Sequence, residues 1–207
     1  MNATFNVELF NRSPLLVAPY LLGSVISRDS DEGRVSVRIT EVEAYLGVGE
    51  DPGAHAHRGK TRRNSTLFGP PAHLYVYFTY GMHHCANVVC QPDGTASGLL
   101  LRGGEVVEGI ELARSRRGPR VSDRNLARGP GCLTVAMGID LADNGSDLSK
   151  LPFALNVTGD TSDYLSGPRT GINGPGGTEE YLFRFWIPNE PTVSAYKRHP
   201  KLARPIA

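Results

Sequence analysis

The sequence predicts an α+β fold, a strand-rich domain over residues 1–207 whose sheet is antiparallel and whose helices are few and short. Polar and apolar residues alternate along one long segment, helical periodicity is confined to two short ones, and Gly 24 plus Pro 15 punctuate the 207 residues throughout. With 40% hydrophobic and 21% charged residues, the chain is neither disordered, collagen-like nor a coiled coil. No internal repeat or linker-like stretch divides it.

Residues 34–45 alternate as a strand, with Val35, Val37 and Ile39 on one face and Ser36, Arg38 and Thr40 on the other. Continuing that count puts Glu41, Glu43 and Tyr45 on the apolar face, a departure of the kind expected at strand ends or functional sites. Residues 73–80, rich in Tyr, Val and Phe, form a second strand between Gly69-Pro70-Pro71 and Gly81. Residues 87–90 and 98–102 read as two more. Residues 105–117 read as an amphipathic helix with Val106, Ile110 and Ala113 along one side, ending before Gly118-Pro119. Residues 130–137 read as another, opened by Gly129-Pro130-Gly131, where proline suits the first turn and free amides can receive a phosphate. Residues 140–149 and 166–178 read as loops, and residues 181–187 as a last strand.

Cys85, Cys90 and Cys132 are odd in number and form no repeated CxxC, which disfavours a disulfide framework and fits a reducing compartment. The apolar run 15–26 is too short to span a bilayer, contains Pro19 and Gly23, and is followed by no A-x-A cleavage pattern. A cytoplasmic chain without a signal peptide or membrane partner is expected.

Net charge is only +1, but the charges are segregated. Residues 52–92 hold no acid and contain Arg58, Lys60, Arg62 and Arg63, candidates for contact with a nucleic-acid backbone. Aromatics interleave this stretch. Tyr75 and Tyr77 share a face, Tyr45 and Tyr77 can stack on a flat ring, and Tyr80 beside Gly81 suits a wedge between bases. Glu43 between such rings can act as a general base on water or stabilise a cationic transition state, while Glu41 either pairs with Glu43 or meets Arg38. His55-x-His57 with His83 raises the question of a metal, yet the spacing of metal hydrolases is missing and no metal is expected. No dinucleotide or P-loop spacing is found, so no cofactor is expected either.

The motifs Ile39-Thr-Glu-Val-Glu-Ala-Tyr45, Ala54-His55, Arg58-Gly59, Arg63-Asn64 and Leu74-Tyr-Val-Tyr-Phe-Thr-Tyr-Gly-Met82 strongly resemble the alkyladenine (3-methyladenine) DNA glycosylase family. Asn87, Leu99-Leu-Leu-Arg102, Gly129-Pro130 with Leu133, Pro168-Arg169-Thr170-Gly171 and Arg184-Phe185-Trp186 extend the resemblance over nearly the whole chain. It implies a single mixed domain on a curved antiparallel sheet with peripheral helices, acting as a monomer without metal or redox cofactor. The implied partner is double-stranded DNA carrying damaged purines, alkylated or deaminated, whose bases are flipped out and released by hydrolysis. Glu43 would activate the water and Arg102 would hold water and carboxylate. Tyr45, His55 and Tyr77 would enclose the base, Asn87 would screen purines, and Tyr80 would fill the gap in the duplex. Few lysines, Lys60, Lys150, Lys197 and Lys201, lie outside the pocket motifs, so a lysine nucleophile is not expected. A rival reading is a damage-binding module without chemistry, which has no need of Glu43 facing DNA phosphates.

Overall fold

The computed structural model describes residues 6–79, 81–158 and 163–202. Among these, helix α1 (Pro14–Leu21) leads into β1 (Val25–Ser30) and the long β2 (Gly33–Tyr45), followed by β3 (Leu74–Thr79), β4 (His83–Val89) and β5 (Gly98–Glu108). Helix α2 (Ile110–Arg117), β6 (Ala127–Arg128), helix α3 (Pro130–Met137), β7 (Phe153–Asn156), β8 (Leu165–Gly167) and β9 (Arg184–Trp186) complete the set. The nine described strands form a single open antiparallel sheet with the path β3-β4-β5-β2-β1-β7; β6 pairs with β5, and β9 joins β2 to β8.

The two faces of the sheet bury different things. Leu74 and Val76 of β3, Ala86 and Val88 of β4, and Leu99 and Leu101 of β5 join Val17, Leu21, Ala113, Leu133 and Met137 of the helices in the main core. On the same strands Tyr75 and Val89 face the other way, into a smaller cluster with Ala56, Leu67 and Phe68. Helix α1 shows why its segment reads only as an apolar run. It is short, holds Pro19 inside it, and buries Val17, Ala18, Pro19 and Leu21, so little polar face remains to set a period.

Two expectations are corrected on β2 and β5. The strand count places Glu41, Glu43 and Tyr45 on the core face, yet the core residues after Ile39 are Val42 and Ala44. Pairing explains it: Ile39 faces Gly104, Glu41 faces Gly103 and Val42 faces Leu101, so Thr40 is an extra residue on β2 and Arg102 on β5. Each bulge resets the alternation, and Glu41, Glu43 and Tyr45 therefore emerge opposite the core. Residues 105–108 are strand rather than the first turn of a helix, because Glu105 and Val106 pair with Arg38 and Val37; the helix is confined to Ile110–Arg117. Gly109, at φ 74 and packed on the Arg34 carbonyl, makes the turn between them. The last strand is shorter than expected, Arg184–Trp186, and its partner is Leu165–Gly167, which takes in the first two residues of the predicted loop.

Candidate active site

The bulged end of β2 presents Glu43, 1% exposed, beside a cavity. Tyr45, His55, Leu67, Tyr75, Tyr77 and Asn87 line that cavity, with Ile172 from the C-terminal segment. Both oxygens of Glu43 are engaged: Oε1 accepts the Thr170 N–H at 2.7 Å, and Oε2 accepts the Tyr45 hydroxyl at 3.0 Å. Arg102 Nε lies 3.5 Å from Glu43 and 3.0 Å from Glu41. Each carboxylate oxygen retains a second lone pair, so Glu43 is held in place without being saturated.

Glu41 is occupied differently. Fully buried, it accepts from Arg184 Nε, from the Ser194 hydroxyl at 3.1 Å and from the Ser194 N–H at 2.7 Å. Arg38 is not its partner; it binds Glu105 and Glu190 on the strand's outer side. Glu41 thus anchors the residues 192–196 segment against the sheet and shares Arg102 with Glu43.

The aromatic wall comes from strand alternation on β3. Tyr75 and Tyr77 stack at 5.4 Å between centroids, and His55 meets the Tyr77 ring edge-on at 4.6 Å. His55 Nδ1 lies 3.3 Å from the Tyr75 hydroxyl, and Asn64 fixes the His55 carbonyl at 2.9 Å. His55 is exposed at the cavity mouth, but desolvation of its ring against the tyrosines, reinforced by the nearby Arg63 charge, lowers the imidazole pKa and favours its neutral form. Burial pushes the Tyr75 phenol up to about 12 and raises Tyr45 and Tyr77 as well, Tyr45 further through Glu43, so the wall stays un-ionised. Asn87 commits Nδ2 to the Tyr75 carbonyl at 3.2 Å, which leaves Oδ1 for the cavity.

Behind Tyr45 stands a residue of the Pro168-Arg169-Thr170-Gly171 motif to which the sequence assigns no role. Arg169 packs 4.5 Å over the Tyr45 ring and 5.3 Å from Phe183, and forms a bidentate pair with Asp51 at 2.6 Å, both side chains fully buried. Its remaining bonds to the Ala44 and Gly176 carbonyls join β2 to the glycine-rich loop. Asp51 and Ala44 lie 118 and 125 residues away in the chain, so no local signal reveals them.

Arg58, Lys60, Arg62 and Arg63 are all exposed, with Arg63 held to the Phe78 carbonyl at 2.9 Å and 5.9 Å from the Tyr77 centroid. Tyr80 falls outside the described residues. Lys197 departs from expectation: it lines a second cavity with Arg102 and Thr170, next to the carboxylates. Among the described residues no three His, Cys, Asp or Glu side chains are grouped to hold a metal ion, and no helix is long and apolar enough to cross a membrane.

An open antiparallel sheet thus places a buried carboxylate at the edge of an aromatic slot. The chain belongs to the Methylpurine-DNA glycosylase (MPG) family, whose model it matches over residues 8–191, and is a hydrolase of N-glycosyl bonds. A relative in Leifsonia xyli subsp. xyli is 56% identical over 93% of this chain and 92% of its own. One in Streptomyces avermitilis is 49% identical over 93% and 91%, and one in Corynebacterium glutamicum strain R is 46% identical over 90% and 85%. All three carry the provisional name 3-methyladenine DNA glycosylase.

Proposed function

We propose that this protein releases alkylated purines of the 3-methyladenine type, and deaminated ones such as hypoxanthine, from double-stranded DNA, as a monomer using a water activated by Glu43. The observation that carries the reading is the position of Glu43, buried yet unsaturated, sharing a hydrogen bond with a cavity-lining tyrosine. A purine inside a duplex is out of reach, so the nucleotide rotates into the cavity at a cost of a few kcal/mol, least for weakly paired lesions. Tyr80 fills the vacated space. An N-alkylated purine carries positive charge, which the Tyr45 and Tyr77 faces attract and which makes the base a good leaving group.

As the glycosidic bond lengthens, positive charge grows on the sugar. Glu43 stabilises it and takes the proton of the attacking water, while Arg102 and the Thr170 N–H keep the carboxylate aimed. The products are the free base and an abasic site. A neutral purine gains less from the tyrosine faces, and neutral His55 with Asn87 offers hydrogen bonds to its edge. No lysine adduct forms, so the strand is left intact.

The test is single-turnover release of a methylated purine or hypoxanthine from duplex DNA, with chelator present, for the native chain and Glu43→Gln. Release that falls by about a hundredfold or more in the variant, with duplex binding kept, is expected. Tight lesion binding without release by the native chain would overturn the hydrolytic reading in favour of a damage-binding module. Borohydride should trap no protein–DNA adduct.

A further inference from the structure

The cavity beside the carboxylates contains more hydrogen-bond donors than the protein satisfies. It is lined by Arg102, Arg128, Thr170, Ser194, Ala195 and Lys197. Arg102, its side chain only 10% exposed, makes every contact within the protein through Nε, to Ser194, Glu41 and Glu43. Among the described residues neither of its Nη groups has a partner. Arg128 binds the Val193 carbonyl through Nε at 2.8 Å and reaches Asn125 through Nη1 at 3.5 Å, with no partner for Nη2 among the described residues. Lys197 is exposed and holds the Gly171 N–H through its carbonyl at 2.8 Å, while its ammonium has no ion pair among the described residues. The Thr170 hydroxyl is buried and unpartnered. A buried donor without a partner is costly, and the Thr170 hydroxyl is one; the unpaired, solvent-reached cationic groups of Arg102, Arg128 and Lys197 converge with it on one space.

Charge points the same way. The network contains the carboxylates Glu41 and Glu43 against Arg102, Arg184, Arg128 and Lys197, so two positive charges remain uncompensated. Donors without acceptors, and cations in excess, call for an anion with several oxygens. Arg102 and Thr170 also hold Glu43, so that anion lies within one side chain of the reacting sugar. We propose that Arg128, Lys197 and the Thr170 hydroxyl, with the Nη groups of Arg102, clamp one of the two phosphodiesters flanking the extruded nucleotide. The clamp rests on the glycosylase reading and adds to it. It seats the sugar over Glu43 from the backbone side, independently of what the aromatic cavity reads on the base, so lesions of different shape are cut with the same sugar geometry.

The experiment measures affinity for a duplex with a tetrahydrofuran abasic-site analogue, which has no base to release. The native chain is compared with Arg128→Gln/Lys197→Gln, on the unmodified duplex and on duplexes carrying an uncharged methylphosphonate on the 5′ or the 3′ side of the analogue. The double variant should bind the unmodified duplex about tenfold or more weakly. One of the two methylphosphonates should weaken the native chain by a similar factor and the variant by twofold or less, which names the phosphate. Independent losses at both positions, or an unaltered variant, overturn the clamp. Parallel release of a methylated purine by the native chain separates the failures: release without coupling sinks the clamp alone, and no release sinks the glycosylase reading and the clamp with it.

Discussion

Tyr45 donates its phenol hydrogen to Oε2 of Glu43 at 3.0 Å, joining two residues two positions apart on the same face of β2. The ring that walls the cavity and the carboxylate that faces the reacting centre are thereby one rigid unit. Tyr45→Phe keeps the ring and removes the donor. Single-turnover release should fall by about tenfold, the worth of one charge-assisted hydrogen bond, with little change in melting. An unchanged rate would show that the bond does not orient Glu43.

Glu41 and Glu43 should separate stability from chemistry. Glu41→Gln leaves Arg184 and part of Arg102 buried without a counter-charge, and urea unfolding should register a loss of about 3–5 kcal/mol. Glu43→Gln should cost far less in the same titration while abolishing release. Equal stability losses would refute this division of labour.

The Asp51–Arg169 pair is fully buried on both sides. Asp51→Asn removes the only carboxylate paired with this guanidinium among the described residues, and should destabilise by about 3 kcal/mol or more. Because Arg169 packs on Tyr45, the variant should also bind lesion duplex more weakly at temperatures where it remains folded. Urea titration and duplex binding below the melting range check the two effects separately.

The pH dependence of lesion binding follows from His55. Its lowered pKa means that protonation is disfavoured in the folded chain, so the ring is neutral at pH 7 and gains charge only as pH falls below about 6.5. A cationic imidazole then faces a cationic purine, and affinity for an alkylated lesion should decline on the acid side. His55→Gln should remove that decline. With Tyr75 held up at about 12 and Tyr45 and Tyr77 raised as well, ionisation of the cavity wall should not alter binding below about pH 10. A decline that persists in His55→Gln assigns the acid limb elsewhere.

The sequence makes much of this arrangement legible where a signal is local. Residues 130–137 form the predicted helix because Pro130 opens it and Gly138, at φ 71, closes it. The strand containing Glu43 and the one containing Tyr75 and Tyr77 are equally plain from alternation and aromatic content. The helix expected from residue 105 fails because Val106 suits either period and its pairing with Val37 decides for strand. The parity of Glu41 and Glu43 fails because a bulge has no periodicity of its own. Ser194 and Arg184 reach Glu41 from 153 and 143 residues away and Arg169 reaches Asp51 from 118, distances over which only folding brings them together.

The two bulges cancel. Ile39 faces Gly104 before them and Val42 faces Leu101 after them, so the ladder beyond the site is aligned as if neither Thr40 nor Arg102 were there. The chemistry is therefore an insert in the scaffold rather than a property of it. A chain lacking both residues would keep Val42 and Ala44 in the core, carry a continuous ladder from Val37 onward, and lose the Arg102 guanidinium beside Glu43. A chain lacking only one would slip the whole far end of the sheet, and with it the slot. Two compensating insertions, rather than any single side chain, make a reactive centre compatible with an uninterrupted hydrophobic face.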